Sequence, residues 1–325
     1  MKAFLPLFIT CCFQFSWAQQ SRDHDGKLIL ARTEMLSISP DSVPSGTLLP
    51  ASNITAGLEI PTTAPEEFIV KHTAYSLVYN EEHEQAKWVA YELTEAKTGN
   101  EYDRTDKFMV DPMVTTGSAT DKDYEKSGYD RGHLAPAADM GWSETTIAES
   151  FYYSNMSPQE PSFNRGIWKK AEELVRNWAI ENKQIYIVTG PVLTPGLKTI
   201  GPNAVSVPEY YYKVILDYSE PEIKGIGFII PNAASQKELK TFAVSIDSVE
   251  QLTGIDFFPL LPDAVENALE KTACLDCWSW GKSSETLSEP KEATSVQCSA
   301  TTQAGSRCKR MTKSQNGLCS QHGGN

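Results

Sequence analysis

The chain has 325 residues, room for one large domain or two ordinary ones. Its 40% hydrophobic content, with 12 Phe, 13 Tyr and 7 Trp, is ample for a packed core. The net charge of −13 excludes a protein that coats nucleic acid through overall basicity, but not an enzyme with a locally basic cleft.

Lys2, the uncharged apolar run 3–17 and the small-x-small pattern Ser16-Trp17-Ala18 read as a secretory signal over residues 1–18, with Gln19 as the mature N-terminus. A short membrane anchor is the rival, but the run is too short to span and lacks a basic flank. Lipidation at Cys11 or Cys12 is disfavoured by the residues before Cys11. No later segment is apolar enough to cross a membrane, so the expected product is soluble and secreted or periplasmic. Residues 19–67, rich in Ser, Thr, Pro and charge, read as a flexible leader. Within them Asn53-Ile54-Thr55 matches a glycosylation acceptor.

The main domain is expected over 68–281. Residues 74–79 and 87–93, aromatic and β-branched, read as antiparallel strands. Residues 95–129 are polar and irregular, and lead into Asp130-Arg131-Gly132-His133-Leu134-Ala135-Pro136. A short helix capped by Ser143 follows over 143–150, then an extended piece over 151–155. The recurrence of Ile167, Ala171, Leu174, Val175 and Trp178 predicts a long helix over 167–182. Strands are expected over 184–189, 210–218 and 225–230, with helical or mixed pieces over 235–250 and 262–270. This order implies an α+β fold, a largely antiparallel central sheet flanked by helices.

Residues 282–295 read as a polar linker and 296–325 as a small separate module. From residue 294 onward there are four basic residues, Arg307, Lys309, Arg310 and Lys313, and no acidic one. In it Cys298, Cys308, Cys319 and His322 offer three thiolates and an imidazole, a set suited to a structural Zn²⁺. One disulfide with a free thiol is the rival in an oxidising compartment. Cys274 and Cys277 are expected to form a local disulfide.

The chemistry centres on His133 and Arg131. Histidine is suited to take a proton near neutral pH, and arginine matches a phosphate oxygen pair. Phosphodiester hydrolysis needs such a base, a cation, and donors for developing charge. Mg²⁺ keeps most of its waters, so one neutral carbonyl oxygen is a sufficient protein ligand. Asn164, before the long helix, offers one, although it could serve instead as a helix cap. Glu172 falls close to the same helical face, where it could hold a water of the metal shell or form an ordinary salt bridge. Arg176 stands at i+4 from Glu172.

These residues, with Ser154-Asn155-Met156-Ser157-Pro158-Gln159, Phe163-Asn164-Arg165-Gly166-Ile167-Trp168, Val188-Thr189-Gly190-Pro191 and Phe242-Ala243-Val244-Ser245-Ile246-Asp247, carry a resemblance. From about residue 72 to 270 the chain resembles the DNA/RNA non-specific endonucleases of the ββα-metal (His-Me finger) superfamily. The resemblance implies a ββα-metal nuclease fold and an exported Mg²⁺-dependent endonuclease, with Mn²⁺ as a substitute. Its substrates would be DNA and RNA, cut with little sequence preference to leave a 5′-phosphate and a 3′-hydroxyl. It further implies His133 as general base, Asn164 as the direct Mg²⁺ ligand and Glu172 as holder of a metal-bound water. Arg131, Arg104 and Arg176 would stabilise phosphate, with Arg131 and Arg165 as substrate contacts. Asn155 would support the site, and Asp130 would orient its loop. The alternative is a nucleic-acid-binding protein on the same fold with weak or lost catalysis.

Overall fold

The computed structural model describes residues 56–281, 296–302, 305–312 and 318–322. The signal at 1–18, most of the leader, Asn53, the linker and Lys313 lie outside the described residues. The chain divides into two compact units, Met1–Trp278 and Ser279–Asn325.

The first unit runs β1 (Ile69–Lys71), β2 (Ser76–Asn80), β3 (Gln85–Thr94), α1 (Asp121–Tyr124), β4 (Asp130–His133), α2 (Ala137–Met140), α3 (Glu144–Glu149), β5 (Met156–Gln159), α4 (Lys169–Asn182), β6 (Gln184–Pro191), β7 (Thr199–Ile200), β8 (Val205–Ser206), β9 (Tyr210–Asp217), β10 (Lys224–Pro231), β11 (Ala243–Val244), α5 (Ile246–Thr253) and α6 (Asp263–Glu270). Seven strands form one sheet in the order β1-β2-β3-β6-β9-β10-β11, every neighbouring pair antiparallel. The expected α+β class with a largely antiparallel sheet is the one observed.

Alternation along the strands gives the sheet two apolar faces. Trp88, Ala90, Tyr186, Val188, Tyr212, Val214 and Leu216 point to one face, where Ile246 and Val249 of α5 and Phe257 pack. The odd-numbered neighbours point to the other. There Tyr211 stacks on Phe163 at 5.2 Å, and Phe228 on Trp178 of α4 at 6.1 Å. The hairpin β4–β5, with His133 opposite Met156, is held on this second side through Tyr211, whose hydroxyl donates to the Pro158 carbonyl at 2.9 Å.

Several expectations need correction. The leader ends earlier than residue 67: Leu58 is fully buried in the core, and the Thr62 N–H donates to the Asp256 carbonyl. This stretch has no period because a loop held by isolated apolar anchors needs none. Of residues 151–155, Tyr152 is extended and bridges Met109, but a helical turn spans Tyr153–Asn155 and the strand begins at Met156. The long helix starts at Lys169, after a wide π-type turn over Phe163–Trp168 broken at Gly166 (φ −109°, ψ −108°). Such wide turns are frequent at functional sites. The Ser143 cap is present, its hydroxyl accepting from the Thr146 N–H at 3.1 Å, a contribution of about 1 kcal/mol. Cys274 and Cys277 are disulfide-bonded. No helix among the described residues is long and apolar enough to cross a membrane.

Candidate active site

The heptapeptide that follows the irregular segment opens as a strand, Asp130–His133. Only Gly132 fits its position there. A Cβ at that residue would lie 2.1 Å from Cδ of the fully buried Gln159. The glycine therefore lets β4 and β5 close on each other, and its neighbours Arg131 and His133 are held in register by that closure.

His133 is buried. Its ring meets Phe151 edge-on at 4.9 Å, and Phe108 lies 6.1 Å away. Nε2 has no hydrogen-bond partner. Burial, reinforced by the charge of Arg104 and opposed by Asp106, pushes the imidazole down to about 3. The ring is thus neutral at physiological pH, the protonation state in which an imidazole can accept a proton. Phe108 is kept in place because Met109 exchanges backbone hydrogen bonds with Phe151 and Tyr153.

Two arginines flank this histidine. Arg104 is exposed, lies over the Phe151 ring at 5.3 Å and donates to Asp106 at 2.5 Å. It therefore shares an aromatic ring with His133. Arg131 lies 4.9 Å from the Phe108 ring centre and donates to Asp121 at 2.7 Å and to the Tyr153 hydroxyl at 3.2 Å. Both are held on aromatic surface and paired to carboxylates that are themselves mostly exposed. A phosphate could replace those partners at small cost, since exposed ion pairs contribute little.

Asn164 reaches the same hairpin. Its Nδ2 donates to Asp130 at 2.9 Å, which leaves its carbonyl oxygen as the hard acceptor that Mg²⁺ prefers. Asp130 also takes a bidentate pair from Arg165, at 2.8 and 2.6 Å. Burial opposes ionisation of Asp130, but Arg165 and Asn164 outweigh it and lower its carboxyl. Asp130 thus ties the start of β4 to the turn that carries Asn164 and Arg165. Arg165 is committed to it rather than turned free toward a substrate. The Trp168 indole donates to the His133 carbonyl at 3.4 Å and so docks the wide turn on the strand. Asn155 is fully buried: its amide bonds both backbone groups of Ala135 at 2.9 Å and the Ser150 carbonyl at 2.8 Å, fixing the chain just after His133.

Glu172 and Arg176 belong to a neighbouring network. Arg176 donates to Asp139 at 2.7 Å, and the Tyr91 hydroxyl donates to the other Asp139 oxygen at 2.8 Å. Lys213, fully buried, lies over the Trp168 ring at 4.8 Å and donates to Thr189 at 3.2 Å. Burial raises the Glu172 carboxyl, opposed first by Lys213. Burial lowers the Lys213 ammonium, opposed first by Glu172. Arg176 is therefore an ion-pair partner of Asp139 within this network.

A neutral histidine, two arginines on exposed carboxylates and an amide oxygen thus share one ββα frame. A model of the DNA/RNA non-specific endonucleases matches residues 58–264. The chain belongs to that family. It is 37% identical over 207 residues to the mitochondrial nuclease EXOG of Danio rerio, an alignment covering 58% of this chain and 60% of that one. To a nuclease of Nostoc sp. it is 34% identical over 218 residues, covering 63% and 78%. Among solved structures, the EndoG/EndoGI complex matches with a TM-score of 0.57 at 30% identity, over 60% of this chain and 87% of that chain. The chain spans 56–60% of the length of the EXOG nucleases it matches.

In this family member the match begins at Leu58, the residue at which the core begins, and ends before the second unit. That unit carries β12 (Val296–Gln297) paired with β13 (Met311–Thr312). One ligand atom each from Cys298, Cys308, Cys319 and His322 lie within 4.8 Å of one another, and the three thiols are free and buried. His322 Nδ1 is 3.2 Å from Cys319 Sγ and 3.5 Å from Cys298 Sγ. Sequence reasoning missed Phe108, Phe151, Trp168, Asp121, Tyr153, Asp139, Tyr91 and Lys213. Most are aromatics or charges whose role depends on contacts across the fold. Trp168 alone lay inside a quoted motif.

Proposed function

We propose that this family member is an exported, Mg²⁺-dependent endonuclease that hydrolyses DNA and RNA with little sequence preference. The observation that carries the reading is the neutral His133, set between Arg104 and Arg131 on a strand tied to Asn164. His133 takes the proton from the attacking water through its imidazole. Arg131 exchanges Asp121 for a phosphate oxygen, and Arg104 approaches from the Phe151 side. Asn164 would hold the metal through its carbonyl oxygen, and its fixed amide fits that duty. When bound, Mg²⁺ supplies charge to the phosphate and the leaving 3′ oxygen. Glu172, with Lys213 opposing its burial, would accept from a water of the metal shell. Phosphate contacts from arginine carry no base information, which suits low sequence preference.

The test is cleavage of supercoiled DNA and structured RNA by the purified full chain, with and without chelator. Expected is cutting of both, loss on chelation and recovery with Mg²⁺. Binding of both without cutting under any metal would overturn the enzymatic reading in favour of the binding-only alternative.

For the second unit we propose one structural Zn²⁺ on Cys298, Cys308, Cys319 and His322, and for residues 1–18 removal on export. Four ligand atoms of this chemistry at mutual distances within 4.8 Å suit a tetrahedral site. Native mass measurement of the exported protein reads both proposals. Expected is a chain starting at Gln19 with one bound zinc. A chain without zinc and lighter by two further hydrogens would mean a second disulfide instead.

A further inference from the structure

On the sheet face away from His133, α5 and α6 approach β10 closely. A Cβ at Gly225 would meet Ile246 at 2.7 Å, and one at Gly227 would meet Val249 at 2.6 Å. This packing brings together Asp247 and Glu250 of α5 and Glu270 at the end of α6. One oxygen from each lies within 4.8 Å of the others. Glu250 is held in place by the Phe257 N–H, which donates to its Oε1 at 2.9 Å. Glu270 is 6% exposed, and its Oε1 is buried with no hydrogen-bond partner.

A buried carboxylate oxygen with no donor is costly, and burying it against two further carboxylates is costlier. The strongest charges acting on Glu270 are Glu250, Glu266, Asp247 and Asp256, all of one sign. Burial first, and then these charges, push its carboxyl up to about 9. A cation removes both penalties together. The span of 4.8 Å is what one ion with oxygen bonds of about 2.3–2.6 Å can bridge. Carboxylate ligands select a hard ion. A set that mixes an exposed Asp247 with a buried Glu270 suits the flexible geometry of Ca²⁺ better than the strict octahedron of Mg²⁺.

We propose that Asp247, Glu250 and Glu270 bind one hard divalent cation of the Ca²⁺ type, at a site separate from the nuclease centre. The ion joins α5 to α6 and stabilises the apolar layer beneath them. It does not enter the hydrolytic reaction.

The experiment follows the unfolding midpoint of the chelator-stripped full chain as Ca²⁺ is added. Wild type and Asn164→Ala are compared with Asp247→Asn and Glu270→Gln. Expected is a rise of roughly 5 °C at saturating Ca²⁺ in the first two proteins, absent in the others. Should Glu270→Gln fail to fold, Asp247→Asn at the exposed rim decides alone. A flat response in wild type overturns the proposal: the cluster then simply holds protons. So does a response lost in Asn164→Ala and kept in Asp247→Asn, which would place the ion in the nuclease centre.

Discussion

Replacing His133 by Ala should slow nicking of supercoiled DNA by about 10²–10⁴-fold, the range a general base supplies. The ring donates no side-chain hydrogen bond through Nε2, so its removal strands no partner there. An undiminished rate in the variant would remove His133 from the reaction. Stability should respond to pH through the same residue. The unfolded chain takes up this proton below its ordinary value of 6.5, the folded chain only near 3. Between those values the unfolded state holds more protons, so stability falls as pH falls through the window. His133→Ala should flatten that part of the curve, measured as unfolding midpoint against pH. Rate and stability thus read the same burial in two independent ways.

The strands over 87–93, 184–189, 210–218 and 225–230 were legible because aromatic and β-branched residues fill them, and both sheet faces are covered. The helix was legible from its apolar period, but its start was not. Gly166 interrupts the wide turn without any change in composition. β4 and β5 escaped for a related reason. Each has four residues and includes Gly132 or Pro158, and their pairing depends on a Gln159 side chain that occupies the place of a Cβ. The motifs pointed to His133, Arg131 and Asn164 through residue type and order. They did not reveal that Arg165 is held by Asp130, or that Arg104 reaches His133 across Phe151, since both contacts span more than thirty residues or a ring. Lys213 was hidden most completely: a lysine in the middle of Tyr210–Asp217, with apolar or aromatic residues on both sides, looks like an exposed strand position, yet it is fully buried.

That lysine carries the second large effect. Lys213→Met should destabilise the fold by about 1–3 kcal/mol, since it removes the charge that most opposes burial of the Glu172 carboxylate. Methionine fills the same volume over Trp168, so packing loss contributes little. What remains is a Glu172 carboxylate facing Asp139 with its strongest opposing charge gone. Arg176 cannot take over fully, because it is committed to Asp139. The double variant Lys213→Met/Glu172→Gln removes the stranded charge as well, and should recover most of the loss. Urea unfolding of wild type, both single variants and the double gives the coupling, expected at about 1–3 kcal/mol. Additive losses would mean that the two groups do not sense each other. Glu172 would then lack the charge that offsets part of its burial, and its proposed duty toward a metal-bound water would lose that support. A large coupling would instead make the buried lysine the positioning residue for the second half of the site, acting through Glu172 without touching substrate.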